Sequence, residues 1–506
     1  MKTQANYFYF LTLLYFSISL VGVFHHELWL DESHHWLLAR DSSSLINLIE
    51  NTRYEGHPVL WNVLLYGISR FSLNPVWMQV FHILIATATV FLFLRKAPFS
   101  ALFKKLFIFG YFIVFEYNLL SRNYILGLFF IFWACSLFKE LEKKFLLLSV
   151  CLAFAANVHL IFSVIALALY LTILLEHWQQ HLLFRRRIYN WGYFIFGIGL
   201  LLAVIQMIPP SDTRFFDHVN EMALSEKFTK GFISLFKGIV AVPDFSTIHF
   251  WNSNFLVNIS KPAAAFFGLL LYAVPVLLFF RNRKTLFFIY IGLIGTQIFF
   301  FLTQMSATRH DGITYILLIA ALWIDNYYQE DNYRLKDFII RFRLHLLKKP
   351  IIYGILALQL IGGIGAYTMD YLYPFTASKK TADYLREQNL LNRDIITVTC
   401  DGTAISPYAQ KKIFFLCDGS YQSYCHWNFN CALNITQKEI QNGISGFMKT
   451  HDKAVYVSNY PILNTAEIGH WENISPKVKV RFLKKFEQTI VRNSYYYIYA
   501  ISATPQ

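Results

Sequence analysis

Residues 25–41 read HHELWLDESHHWLLARD, a polar stretch set directly after the first apolar run of the chain. Its adjacent carboxylates, Asp31 and Glu32, are of the type that deprotonates an acceptor hydroxyl or amine, or that holds a metal ion. A solvated loop carboxylate is the plain alternative. Four histidines flank the pair, His25, His26, His34 and His35, and they invite a metal reading. Their spacing lacks the His-x-x-x-His pair that puts two ligands on one helical face. Packing or hydrogen bonding is the commoner role for such rings.

Further along, Tyr54-Glu55-Gly56-His57-Pro58 precedes a short apolar segment. A proline in a first helical turn, with His57 beside it, places a potential cation at a helix N-terminus, where anions bind. A third cluster holds Glu116-Tyr117 and Ser121-Arg122-Asn123-Tyr124, at the end of one apolar run and the start of the next. A carboxylate there is costly unless paired, and Arg122 is near enough in sequence to pair with Glu116. His159 and Arg309-His310-Asp311 repeat the pattern at the edges of other apolar runs. Each has a bland explanation in interfacial snorkelling or helix-end ion pairs.

The elements that must carry these residues are membrane spans. Of 506 residues, 56% are hydrophobic and 15% charged, with 50 phenylalanines. Soluble domains run about 45–50% and 25%. Intrinsic disorder and nucleic-acid binding are excluded as poor fits. Apolar runs fall at about 7–24, 76–94, 106–120, 124–138, 145–158, 160–175, 190–208, 262–280, 285–303, 312–325 and 350–367. The first has no small-residue cleavage site after it and reads as a retained anchor. Pro58–Phe71 is ambiguous, and counting it as a span would invert everything downstream. Taken as an interfacial helix, it leaves 20 Lys and Arg on the connections of the N-terminal side and 5 on the short connections opposite. That asymmetry satisfies the positive-inside rule and favours eleven spans with the tail outside. It also explains the net charge of +14 as a topological signal.

Two outer segments are large, 209–261 and the tail from 368 to 506. The sequence thus predicts a helical polytopic domain over 1–367 and a small exterior α/β domain over 368–506. In the tail a helix is expected at Ser378–Gln388, and strands at Ile395–Thr399, Lys412–Leu416, Ala454–Ser458 and Tyr495–Ile501. Cys400, Cys417, Cys425 and Cys431 all fall there, an even number that suggests one or two disulfides in an oxidising compartment.

Taken together, Trp-Leu-Asp-Glu in a first outer loop, Gly-His-Pro before an apolar helix, Glu-Tyr followed by Ser-Arg-Asn-Tyr, and Asn-Val-His resemble the GT-C glycosyltransferases. That family includes protein O-mannosyltransferase-like and aminoarabinose-transferase-like members and uses polyprenyl-phosphate sugars. The resemblance covers about residues 7–325, and the tail matches by position only. It implies that Asp31, with Glu32 beside it, is catalytic. It implies that His57, Arg122, Tyr124 and Arg309 lie at the donor phosphate, with Glu55, Glu116, His159 and His310 in support. This chain departs from the pattern in three places. Val158 stands where a threonine commonly precedes the histidine, and His310 replaces a tyrosine. Leu120 and Ser121 occupy the place of an acidic residue before Arg-x-Tyr.

The expected activity is transfer of a sugar from an undecaprenyl-phosphate (or related) donor to a lipid, polysaccharide or protein acceptor. The expected place is the outer face of a bacterial inner membrane, with the N-terminus cytoplasmic and the tail periplasmic. Membrane lipids are partners and nucleic acid is not. No cofactor is required, although some family members use a divalent cation. The rival readings are a transporter or flippase of a lipid-linked substrate and a membrane-anchored assembly protein acting through its tail. The first predicts internal symmetry and interrupted paired spans, neither of which is present.

Overall fold

A computed structural model of the chain describes residues 2–211, 223–303, 307–331, 334–427, 431, 435–464 and 467–503. The N-terminal half of the helical body comprises α1 (Lys2–His25), α2 (Leu30–Asp41), α3 (Leu45–Thr52), α4 (Leu60–Ser69), α5 (Val76–Lys96), α6 (Ala101–Ile108), α7 (Tyr124–Leu137), α8 (Leu141–Ala156), α9 (Leu160–Gln179) and α10 (Arg187–Gln206). The second half comprises α11 (Leu224–Ile239), α12 (Phe255–Ile259), α13 (Lys261–Leu270), α14 (Val274–Phe279), α15 (Arg283–Thr303), α16 (Thr308–Asp325), α17 (Arg334–Arg341) and α18 (Lys348–Leu372).

Among the described residues, eight helical stretches are long and apolar enough to cross a bilayer. The chain is an integral membrane protein with a helical body. The eleven expected spans and these eight differ for identifiable reasons. The runs at 124–138 and 145–158 fall in one apolar stretch, Tyr124–Ala156, which holds both α7 and α8. The run at 312–325 lies in α16, which carries Arg309, Asp311 and Asp325 and is buried over nearly its whole length. The run at 106–120 is not one helix. α6 stops at Ile108, a single π-helical turn occupies Phe112–Glu116, and irregular buried backbone continues to Asn123. Non-helical backbone at such depth is tolerated because it is enclosed by protein. π-turns of this kind are frequent at functional sites.

The ambiguous helix α4 has ten residues, or about 15 Å at 1.5 Å per residue, half of a hydrocarbon core. It packs on α2 instead. The segment 209–261 is more than the outer loop expected. Residues 212–222 lie outside the described residues, but α11 packs against α13 and α16 in the body. Gly238 permits the approach, since a Cβ there would collide with the carbonyl of Asp311. The approach buries an ion pair between Lys237 and Asp311 at 2.9 Å.

The tail opens with α19 (Ser378–Glu387) and also holds α20 (Ser406–Ala409) and α21 (Gln437–Phe447). Its strands are β1 (Asp394–Thr397), β2 (Ile413–Phe415), β3 (Ser420–Gln422), β4 (Lys453–Ser458), β5 (Trp471–Ser475), β6 (Val478–Phe486) and β7 (Tyr496–Ala503). They form one mixed sheet in the order β3-β2-β1-β4-β7-β6-β5, with β1 parallel to β2 and β4 and the remaining pairs antiparallel. Alternation sends Ile395, Val455 and Ile498 toward α19, and Ile396, Tyr456 and Tyr499 toward α21, so the sheet is covered on both faces. The hairpin β5–β6, with its polar and basic alternation, was not expected from the sequence; neither were β3 and α21. Disulfides join Cys400 to Cys425 and Cys417 to Cys431.

The tail docks on α2. The Leu28 N–H donates to the Tyr408 hydroxyl at 2.7 Å, the Ser423 hydroxyl donates to Asp41, and Tyr424 joins the apolar cluster of Trp36, Leu37 and Trp61. The helix that carries Asp31 and Glu32 is therefore held between α4 and the tail.

Candidate active site

The first turn of α2 sets two adjacent carboxylates in opposite environments. Trp29 is the N-cap residue, and Glu32, three residues on, reaches back to accept the Trp29 N–H at 2.9 Å. This is the reciprocal half of a capping box, and a carboxylate there also suits the positive end of the helix dipole. Glu32 is fully buried. Its second oxygen accepts the Ser121 N–H at 2.6 Å, and His26 Nε2 lies 3.2 Å from the first. The other ring nitrogen of His26 lies 2.9 Å from Asp370 near the end of α18. One imidazole thus sits between two carboxylates. Burial alone would lower its pKa, but Asp370 and Glu32 outweigh burial and raise it to about 10, so His26 is a cation.

Asp31 keeps 24% of its side-chain surface exposed. It pairs with Arg122, and the Arg309 guanidinium lies 3.6 Å from the same oxygen. Burial opposes ionisation, but the two arginines prevail and hold the carboxyl down to about 2. The sequence suggested that Arg122 would pair with Glu116; the fold gives it to Asp31 instead. Glu116 accepts the Tyr111 hydroxyl at 2.8 Å and the Trp251 indole N–H at 3.1 Å through one oxygen, and its other oxygen has no partner. Both arginines lie over the Trp29 ring, at 5.8 Å for Arg122 and 4.8 Å for Arg309, and Arg309 also lies 5.9 Å from the Trp251 ring. Nε of each arginine is buried and unpartnered.

Imidazoles and phenols close the other side. The His57 ring stands 4.3 Å from that of His159 and 6.2 Å from that of His35, and the His310 ring lies 5.9 Å from that of His159. The Tyr124 hydroxyl is 3.3 Å from His159 Nε2, while His159 Nδ1 caps α9 by accepting the Ile161 N–H at 3.1 Å. Tyr117 stacks on Tyr124 at 5.3 Å and donates to the Arg309 carbonyl at 2.7 Å, joining the irregular 117–123 segment to the start of α16. Burial, followed by the charge of Arg122, pushes His57 down to about 4 and His35 down to about 3. His57 is thus a neutral ring at neutral pH, not the cation suggested by its place before Pro58. The cations here are Arg122 and Arg309. Glu55 is one step removed, 2.6 Å from His34.

The structure therefore gathers Asp31, His57, Arg122, Tyr124, His159, Arg309 and His310 at one place, with Glu32, Glu55 and Glu116 around its rim. Sequence reasoning did not single out Trp251 or Asp370, and it named His35 only within the group of four histidines and Trp29 only within the Trp-Leu-Asp-Glu motif. A carboxylate near the end of an apolar run was a signal for Asp370, whereas nothing local marks Trp251. Among the described residues, the groups close enough to share an ion are built on the disulfide cysteines of the tail.

No protein-family model matches the chain, and no curated relative matches it. Among solved structures, that of ArnT from Cupriavidus metallidurans bound to undecaprenyl phosphate is similar to this chain. The TM-score is 0.48 at 12% sequence identity, over 98% of this chain and 97% of that one.

Proposed function

We propose that this chain is a membrane glycosyltransferase that takes a sugar from a polyprenyl-phosphate donor and transfers it to an acceptor hydroxyl or amine at the outer face of the membrane. The observation that carries the reading is one accessible carboxylate, Asp31, held against two arginines that each keep a buried, unpartnered Nε. Two adjacent guanidiniums, Arg122 buried and Arg309 partly exposed, each with an unpartnered Nε–H, suit a phosphate, which accepts charge-assisted bonds through several oxygens. His57 and Tyr124 add neutral polar groups beside them.

The lipid has a place to lie. An apolar groove of about 460 Å³ runs from Val59 and Leu60 along Val63, Phe154, Ile198 and Leu202. Val59 and Asn157 in its lining each stand two residues in sequence from a site histidine, His57 and His159.

The resting ion pairs make Asp31 a weak base, and the donor resolves this. A phosphate that draws Arg122 and Arg309 to itself loosens their hold on Asp31 and restores the basicity of its carboxylate. In the reaction the acceptor oxygen or nitrogen bonds to the anomeric carbon as the bond from that carbon to the phosphate oxygen breaks. The acceptor proton passes to Asp31, and the polyprenyl phosphate leaves with the bonding pair, its charge met by the arginines. Glu32 is a positioning residue in this scheme, since its oxygens are already occupied. Undecaprenyl phosphate is the donor lipid we infer, with the tail on the outer side and the N-terminus inside. The test is Asp31→Asn in the purified chain with an undecaprenyl-phosphate sugar. Transfer is abolished while the protein stays folded and binds the lipid phosphate, and full activity in that variant would sink the assignment.

A further inference from the structure

A cavity of about 620 Å³ opens beside the carboxylate, within the range of roughly 300–1,000 Å³ typical of small-molecule sites. The body contributes Trp29, Leu30 and the 244–258 segment that includes Trp251; the tail contributes residues around Asp401, Asn459 and 491–496. Trp29 and Trp251 are the rings that flank Arg309, so the inner end of the cavity reaches the residues that hold Asp31.

The chemistry of the wall is distinctive. Its charged groups are Asp244, Asp401 and Arg492. The two carboxylates are already engaged. Asp401 accepts the hydroxyls of Thr397, Thr399 and Ser458 and the Asn459 N–H, and Asp244 accepts the Asn258 amide at 2.7 Å and the Ser246 N–H at 3.0 Å. One arginine facing two carboxylates gives no surplus of positive charge. The remaining polar lining is amide and hydroxyl, from asparagines, Thr247, Ser253 and Ser494. Two lining residues leave a buried polar atom unpartnered, Nδ1 of His249 and Oδ1 of Asn459. Amides and hydroxyls that donate and accept, set around indole rings, match a molecule dense in hydroxyls with apolar C–H faces. An acceptor rich in phosphate or carboxylate would meet one cation, Arg492, set against two carboxylates, because Arg122 and Arg309 are not part of this wall.

We infer that this body–tail cavity binds the acceptor, and that the acceptor presents a neutral, polyhydroxylated saccharide to Asp31. The inference rests on the transferase reading above. Nearly half of the cavity wall belongs to the tail, so the tail takes part in selecting the acceptor while the body holds the donor.

The test uses the full chain in lipid nanodiscs against an array of neutral oligosaccharides of the gluco, galacto, manno and N-acetylhexosamine series. Phosphorylated and carboxylated counterparts and unglycosylated peptides stand beside them. Capture on neutral saccharides is expected. Thr247→Trp fills the cavity from an exposed rim position and lowers that capture about tenfold or more, while undecaprenyl phosphate binding, read by native mass spectrometry, is unchanged. Preference for the charged saccharides or the peptides, or neutral capture indifferent to Thr247→Trp, would overturn the inference. Absence of undecaprenyl phosphate binding with neutral capture intact would instead overturn the transferase reading and leave the saccharide site standing.

Discussion

The tail and the helical body each hold an aspartate among polar partners, and they treat it in opposite ways. Asp401 in the tail receives three hydroxyls and one backbone N–H from its own domain, the shortest two contacts being 2.6 and 2.7 Å. It is a finished knot that fixes the ends of β1 and β4. Asp31 in the body has one exposed edge and two arginines, and the groups around it are left open: Nε of Arg122 and Arg309, Nδ1 of His57 and His310, and one oxygen of Glu116. Buried polar groups are normally satisfied because leaving them unmade costs about 1–3 kcal/mol each. Several such groups around one accessible carboxylate make a site that waits for a partner. A carboxylate with complete bonding locks a fold, whereas one left accessible between arginines that keep an unpartnered Nε suits the binding and reaction we propose.

The strongest way to break that comparison is Asp31→Asn. Loss of a general base costs about 10²–10⁴-fold in rate, measured as sugar transfer from an undecaprenyl-phosphate donor. Affinity for the lipid phosphate is retained or improved, because the carboxylate no longer competes for the arginines. If the same change unfolded the chain and left specific activity intact in the surviving fraction, Asp31 would belong with Asp401.

His26 tests a third kind of buried acid environment, one cation between Glu32 and Asp370. A folded-state pKa of about 10, above the ordinary value of about 6.5, stabilises the chain fully below pH 6.5. That stabilisation is lost as pH climbs through about 10. Melting of the detergent-solubilised wild type therefore falls across this window, and His26→Gln melts lower at neutral pH but without the alkaline decline. A wild-type curve flat to pH 10.5 would remove the cation from the account.

Smaller effects separate binding from folding. Arg309→Ala weakens undecaprenyl phosphate binding by about 1.5–3 kcal/mol, the worth of a hydrogen bond to a charged group, with little change in melting. Asp401→Ala leaves buried hydroxyls and an N–H unsatisfied and costs about 1–3 kcal/mol of tail stability, with donor binding unaffected. Calorimetry for the second and lipid-binding titration for the first must give opposite profiles. Matching profiles would erase the distinction between the two regions.

Much of the arrangement was legible in the chain. Polar residues stand out against a background of 56% hydrophobic residues, and the run HHELWLDESHHW announces itself. The turn between apolar runs that holds Arg122, and the edges that hold His159 and Arg309, are visible for the same reason. In the tail, short β-rich runs set off by turns marked the positions of β1, β2, β4 and β7. The short β3 and the polar hairpin β5–β6 lack that signal, because an edge of a sheet need not be apolar. The break in the 106–120 run was equally hidden, since a π-turn and enclosed irregular backbone are as apolar as a helix.

By itself the sequence determined which residue types stand at the edges of the apolar runs and that a small domain with strands follows the last of them. Those properties are set by composition and local spacing. Only the tertiary structure decided the partnerships. Asp31 and Arg122 are 91 residues apart, and His26 and Asp370 are 344 apart. Neighbouring positions such as Asp31 and Glu32 carry the same chemistry, yet one turn of helix directs one to an open arginine pair and the other into a closed capping network. Charge is local to a residue, but desolvation and pairing belong to whatever the fold packs around it.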